Sequence, residues 1–114
     1  MQSFGKLGEE NAATFLHEKG YKILQRNYRF KKSEIDLICL YENLLVFVEV
    51  KTRSSRTFGN PESFVSHNQQ EAIIRAAEEY MLETDWEGDI RFDIVAIYKK
   101  GKEEELVHFE DAFY

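Results

Sequence analysis

One cysteine and one proline are all that 114 residues contain. A lone thiol excludes an internal disulfide and suits a reducing cytoplasm. Cys39 alternates with apolar neighbours, so it reads as a small core hydrophobe rather than a nucleophile. No apolar run approaches the roughly 20 residues that span a bilayer, so no membrane partner is expected. Met1-Gln2-Ser3-Phe4-Gly5-Lys6 lacks the apolar stretch of a secretory signal. His17, His67 and His108 are scattered, which excludes a zinc pattern. Gly5-Lys6-Leu7-Gly8 is not followed by Lys-Ser/Thr, which excludes a phosphate-binding loop of that kind. Repeats, low-complexity tracts and long linkers are lacking as well, so residues 1–114 read as one domain with one modest core.

The formal net charge is −6, which argues against a protein that coats nucleic acid. The distribution says more than the total. Lys19, Lys22, Arg26, Arg29, Lys31 and Lys32 form a basic stretch, and Lys51, Arg53 and Arg56 add to it. Acids concentrate later, from Glu78 through Asp89 and from Glu103 through Asp111. One side is therefore expected to face phosphates, with Arg29, Lys31, Lys32, Arg53 and Arg56 as the nucleic-acid-binding candidates. The alternative is an ordinary mixed surface.

Periodicity predicts a helix over 4–19, capped by Ser3 and ended by Gly20, with Ala12, Phe15 and Leu16 inward and Ala13 beside them. Glu9 falls on that stripe. It is either a carboxylate aimed at a site or a first-turn acid favoured by the helix dipole. A strand follows over 21–30, then strands over 34–41 and 44–52, then a loop over 53–64. A second helix is expected over 67–83, with Ser66 and Gln69 as a capping box and Ala72, Ile73, Ala76, Ala77, Tyr80 and Met81 inward. Strands over 90–98, with Asp93 as its only acid, and over 105–109 complete the chain. The helix between residues 52 and 90 can make its flanking strands parallel, giving an α/β fold with a mixed sheet of about five strands flanked by helices.

Glu42-Asn43 at the tip of the central hairpin fixes its register. Residues whose numbers sum to 85 oppose one another, which pairs Asp36 with Glu49 and Glu34 with Lys51. Opposed residues share a face with Cβ atoms roughly 4.5–5.5 Å apart, and like charges so placed are destabilising. One face carries Asp36, Ile38, Leu40, Leu45, Phe47, Glu49 and Lys51; the other carries Ile35, Leu37, Cys39, Leu44, Val46, Val48 and Val50. Both are apolar, as in central strands covered on both sides. Two carboxylates thus interrupt a core with a lysine beside them. Oxygen donors without a His/Cys cluster favour a hard cation, Mg²⁺ or Mn²⁺. Such an ion can activate water and stabilise a phosphoryl group, and lysine adds charge for the same anion. The competing readings are an ion pair between Lys51 and one acid, and a nucleic-acid-binding scaffold without turnover.

Asp36 followed by Glu49-Val50-Lys51 resembles the D…(D/E)xK signature of the PD-(D/E)xK nucleases. More closely, the chain resembles the YraN-like family of small bacterial proteins. The matching stretches are 8–12, 20–29, 34–38 and 46–53, continued by Phe58-Gly59-Asn60-Pro61 and Arg91-Phe92-Asp93. That family is similar in layout to the archaeal Holliday junction resolvases. The resemblance implies a restriction-endonuclease-like fold and a Mg²⁺-dependent nuclease acting on DNA, with a structure-selective preference for junctions or branches. It implies metal binding by Asp36, Glu49 and the Val50 carbonyl, Lys51 as the catalytic lysine, and Glu9 as a further metal-proximal acid. Gln70 would keep a role near the site. The family usually carries Lys-Gln where this chain has Gln69-Gln70, so one positive charge is missing there. A resolvase-like role needs two sites, which implies a homodimer.

Overall fold

The computed structural model describes residues 4–54 and 64–114, with side chains from residue 8 onward. Its elements are α1 (Phe4–Glu18), β1 (Lys22–Phe30), β2 (Ser33–Tyr41), β3 (Leu44–Arg53), α2 (His67–Thr84), β4 (Asp89–Lys100) and β5 (Glu103–Phe109). Every expected element is present, with ends moved by a residue or two. The strands form one sheet in the order β1-β2-β3-β4-β5. β3 and β4 are parallel because α2 carries the chain back between them. The other neighbours are antiparallel. This mixed five-stranded sheet with two helices is an α/β fold consistent with the restriction-endonuclease-like architecture.

Each helix covers its own core. Ala12, Ala13 and Leu16 of α1 pack with Leu37, Cys39, Val46, Val48 and Val95. Ile73, Ala76 and Ala77 of α2 pack with Ile38, Leu45, Phe47, Phe92, Ile94 and Ala96. Successive residues of β3 therefore feed opposite cores, which is why the strand is apolar on both faces. The small helix residues let the axes come close to the sheet. Gly8 takes this furthest: a Cβ there would stand 2.9 Å from Thr52 Oγ1 and 3.3 Å from Ile97 Cδ1. The start of α1 is thereby held against the ends of β3 and β4.

Both helix ends follow the sequence signals. Gly20, at φ +99°, lets its N–H bond the His17 carbonyl while Tyr21 N–H bonds Leu16 O, both at 3.0 Å. At α2 the Ser66 hydroxyl accepts from Gln69 N–H at 3.2 Å, and Gln69 Oε1 accepts from Ser66 N–H at 3.0 Å. The capping box is complete, and Gln69 belongs to it. The expected Ser3 cap lies outside the described residues.

One expectation is corrected. Ile35 packs in the α2-side core with Ile38, whereas Leu37 packs on the α1 side. Strict alternation would put Ile35 with Leu37. It restarts at Asp36, whose neighbour across β1 is Asn27: the register sets Arg26 against Leu37 and Tyr28 against Ile35. Asn27 adopts φ +51°, a left-handed conformation that Asn tolerates.

Candidate metal and active site

The turn sets the hairpin register as expected, with Leu37 opposite Val48, Ile38 opposite Phe47 and so on to Tyr41 opposite Leu44. The ladder stops at Leu37–Val48. Asp36 and Glu49 come next, and their side chains replace the missing rungs. Asp36 Oδ2 accepts the Val50 N–H at 2.8 Å, and Asp36 N–H makes a long contact of 3.4 Å to Glu49 Oε1. The sheet therefore opens where the two acids meet.

Neither acid is comfortable there. Glu49 is buried, at 7% exposure. Burial first, then the charge of Asp36, pushes the Glu49 carboxyl up to about 8, against the opposing pull of Lys51. Burial likewise pushes Asp36 up to about 6, with the Val50 N–H opposing it and Glu9 adding to it. Lys51 is half-buried and its charge favours both carboxylates, yet it forms no ion pair with either. The simple reading of an ion pair between Lys51 and one acid does not describe the arrangement. The expected Glu34–Lys51 pairing is not made either; Glu34 stands 3.9 Å from Arg29 instead.

Glu9 is near enough for its charge to raise Asp36. In the amide orientation that suits its neighbours, Asn27 donates to Glu9 Oε1 at 2.6 Å and to Glu34 Oε1 at 3.2 Å. Asn27 thus holds Glu9 at the margin of the site. Among the described residues, no three His, Cys, Asp or Glu side chains converge closely enough to hold a metal ion. The protein donors brought together are Asp36 and Glu49. Gln70, at the start of α2, donates to the Val65 carbonyl at 3.0 Å and makes no hydrogen bond to the acids or Lys51.

The basic candidates divide. Arg53 folds back, donating to the Thr52 carbonyl at 2.9 Å and lying 5.2 Å over the Phe64 ring. Arg29 is exposed in its long-range pair with Glu34. Lys31 and Lys32 are exposed at the β1–β2 turn, Lys31 lying 5.3 Å over Phe30. Arg56 lies outside the described residues. Cys39 is fully buried and its thiol is pushed up to about 12, chiefly by burial, in keeping with a core role.

A second buried acid was not singled out by sequence reasoning. Asp93, on β4, has no exposure at all. Arg91 donates to both its oxygens at 2.7–2.8 Å, His108 Nε2 lies 2.7 Å from Oδ2, and Asp111 N–H donates to Oδ1 at 3.0 Å. Burial alone would raise its carboxyl, but these donors hold it below the usual range. The signal was the same one that marked Asp36 and Glu49: an acid inside an apolar strand.

The fold and the site define a class: an α/β domain of restriction-endonuclease-like layout whose central hairpin opens onto two carboxylates, buried Glu49 and half-buried Asp36, with a lysine beside them. The chain belongs to the UPF0102 (YraN) family: the model of the Uncharacterised protein family UPF0102 matches residues 8–97. A UPF0102 protein of Flavobacterium psychrophilum is 51% identical over 110 residues, covering 96% of this chain and 92% of its own. One from Flavobacterium johnsoniae is 49% identical over 114 residues, covering 96% and 93%. One from Caldanaerobacter subterraneus subsp. tengcongensis is 41% identical over 116 residues, covering 98% and 95%. Among the described residues no helix is long and apolar enough to cross a membrane.

Proposed function

We propose that this protein is a metal-dependent nuclease that hydrolyses phosphodiester bonds in DNA, with a structure-selective preference for junctions or branches. The observation that carries the reading is the pair Asp36–Glu49, Glu49 buried and Asp36 half-buried beside it, with raised carboxyls and no ion pair to a cation among the described residues. Two like charges so placed need an opposing charge, and a divalent ion supplies one. Mg²⁺ usually keeps several waters and takes one or two protein carboxylates plus substrate phosphate, rather than a closed protein cage. A two-carboxylate opening suits that habit, and Mn²⁺ accepts the same donors.

Asp36 and Glu49 would hold the ion. Val50, whose N–H already turns into the opening, would add its carbonyl. Bound there, the ion supplies a more acidic water and offsets charge on the phosphoryl group. Lys51 lies on the same strand two residues from Glu49; its ammonium would face the same anion and orient the attacking water. Glu9, held by Asn27, would tune Asp36 from the margin. Cutting a junction requires two such sites, so the working species on that substrate would be a homodimer.

The alternative is a nucleic-acid-binding module of nuclease fold with little or no turnover. The folded-back Arg53 and the net charge of −6 favour it. Calorimetric titration of Mn²⁺ into wild type and Asp36→Asn/Glu49→Gln, with cleavage of a fluorescent junction in parallel, separates the readings. Site-dependent binding with cleavage supports the nuclease. Binding without cleavage of linear, branched or single-stranded DNA supports the module. No binding by either protein, even with DNA present, removes the metal from the account.

A further inference from the structure

The connections place one set of chain segments at a single end of the sheet. β3 ends there, and β2, antiparallel to it, begins there, so the β1–β2 turn lies at that end. β4 runs parallel to β3 and ends there, followed by the β4–β5 turn. This is also the end at which Asp36 and Glu49 meet. Besides Lys51 and Arg53 at the end of β3, two groups of cations stand there among the described residues, and their surroundings differ.

At the β4–β5 turn, lysines face acids. Lys99 is opposite Glu104, and Lys100 is opposite Glu103. The Lys99–Glu104 pair closes at 3.4 Å. Glu105 joins them around a cavity of about 550 Å³ also lined by Lys99 and Lys100. An anion approaching there meets carboxylates already in place.

At the β1–β2 turn, a second cavity of about 330 Å³ is lined by Phe30, Lys31, Lys32, Ser33 and Arg75. Lys31, Lys32 and Arg75 are exposed, and among the described residues none of the three has a carboxylate within ion-pair distance. Arg75 comes from α2, whereas the two lysines come from the turn, so the charges converge from separate elements. The cleft opens on the α2 side of the sheet, the side to which alternation along β3 assigns Glu49 and Lys51.

We infer that this cleft is a phosphate-binding subsite for the DNA backbone, with Arg75 as its anchor. The inference rests on the nuclease reading and adds the path of the substrate. Three unpaired cations around a concave opening suit a phosphodiester, and a guanidinium can grip one bidentately where an ammonium acts as a point charge. Ser33 supplies a hydroxyl donor on the same wall. Ser33 and Asp36 are three residues apart on one strand, about 10 Å at 3.3 Å per residue. Phosphates on one strand wind around the duplex, so they lie further apart than the axial rise of roughly 3.4 Å, and that distance corresponds to about one or two nucleotides. The cleft would thus hold a phosphate adjacent or next-adjacent to the one being cut, and DNA would cross the sheet end toward α2, away from the acid-lined β4–β5 turn.

The test is a salt titration of binding, by fluorescence anisotropy with labelled branched DNA, for the full-length wild type, Arg75→Ala and Lys102→Ala. Lys102 is the comparison cation, exposed at the β4–β5 turn. Arg75 is exposed on a helix, and Ala keeps the helix, so the variant should fold; circular dichroism checks this. The expected result is that Arg75→Ala lowers the slope of log affinity against log salt by about 1 and weakens binding equally for different sequences. Its KM for cleavage should rise with kcat unchanged, while Lys102→Ala matches wild type in all three. If wild type binds and cleaves but Arg75→Ala is indistinguishable from it, the cleft is wrong and the nuclease reading stands. An equal loss in Lys102→Ala would show a general charge effect and overturn the subsite. If wild type binds no DNA, both fall together.

Discussion

Two places in this molecule bury carboxylates, and they are built in opposite ways. On the α1 side, Asp93 is surrounded by donors: both guanidinium contacts of Arg91, the ring of His108 and the backbone of Asp111. Lys19 Nζ lies 2.7 Å from His108 Nδ1, and Arg91 also donates to the Tyr21 hydroxyl at 2.7 Å. An ammonium can only donate, so the Lys19 contact suits Nδ1 as acceptor and leaves Nε2 as the donor toward Asp93. Across the sheet, Asp36 and Glu49 face each other with one backbone N–H, one long contact and no ion pair. Burial acts on both regions; what differs is whether the protein supplies the opposing charge. Where it does, the acid pins strands and the chain end together. Where it does not, the carboxyls are left raised with no ion pair, and that is where we propose the metal ion.

The largest effect should come from breaking the completed cluster. Arg91→Leu leaves Asp93 buried without its guanidinium. Removing one partner of a buried pair costs about 3–5 kcal/mol, and urea denaturation should show a loss near that size. The acid pair should respond in the other direction. Asp36→Asn/Glu49→Gln removes charges that the fold itself does not balance, so stability without metal should hold or rise while cleavage is lost. A loss under 1 kcal/mol in Arg91→Leu, or a large loss in the double variant, would erase the distinction.

The pH dependence sharpens the comparison, because the signs are opposite. Asp93 titrates below its unfolded value, so its contribution is present above the ordinary carboxylate range and is lost as pH falls through the folded value. Asp36 and Glu49 titrate above theirs, at about 6 and about 8. Their penalty is absent in acid and grows as pH rises from the ordinary range toward 8. The double variant should therefore come closest to wild type near pH 4 and exceed it in stability by a margin that widens steadily as pH rises toward 8. Mn²⁺ should narrow that gap by stabilising wild type alone. A gap constant with pH would mean that the two carboxyls are not strained.

How far each region could be read from sequence follows from the same physics. Asp36 and Glu49 were legible because a two-residue turn fixes register and strand period fixes the face. Ile35 was misplaced because alternation breaks at Asp36, opposite Asn27 with its positive φ, a conformation that Asn permits but does not announce. Asp93 carried the same signal as Glu49, but its partners lie at positions 91, 108 and 111, and no local pattern brings His108 to it. Arg53 read as a phosphate contact from charge alone; its retreat onto Phe64 is a tertiary choice. Arg75 was invisible for the converse reason, since a single cation on a solvated helix face has no pattern until the fold sets two lysines beside it.

The smallest expected effect concerns the first turn of α2, where this chain carries Gln69-Gln70 in place of the Lys-Gln that the resemblance implies. Gln69 closes the capping box with Ser66 by accepting the Ser66 N–H, and a lysine cannot accept that bond. It would also set a cation at the positive end of the helix. Gln69→Lys should therefore cost about 0.5–1 kcal/mol, since the Ser66 hydroxyl still caps from its own side. The same substitution adds a charge at an exposed position where α2 begins. If DNA passes that end of the sheet, the variant should bind it more tightly and with a steeper salt dependence. Lower stability with unchanged binding would assign the position to the helix alone and move the DNA path away from the first turn of α2. Lower stability with tighter binding would mean that Gln69 gives a firmer helix end at the cost of a phosphate contact that a lysine there would make.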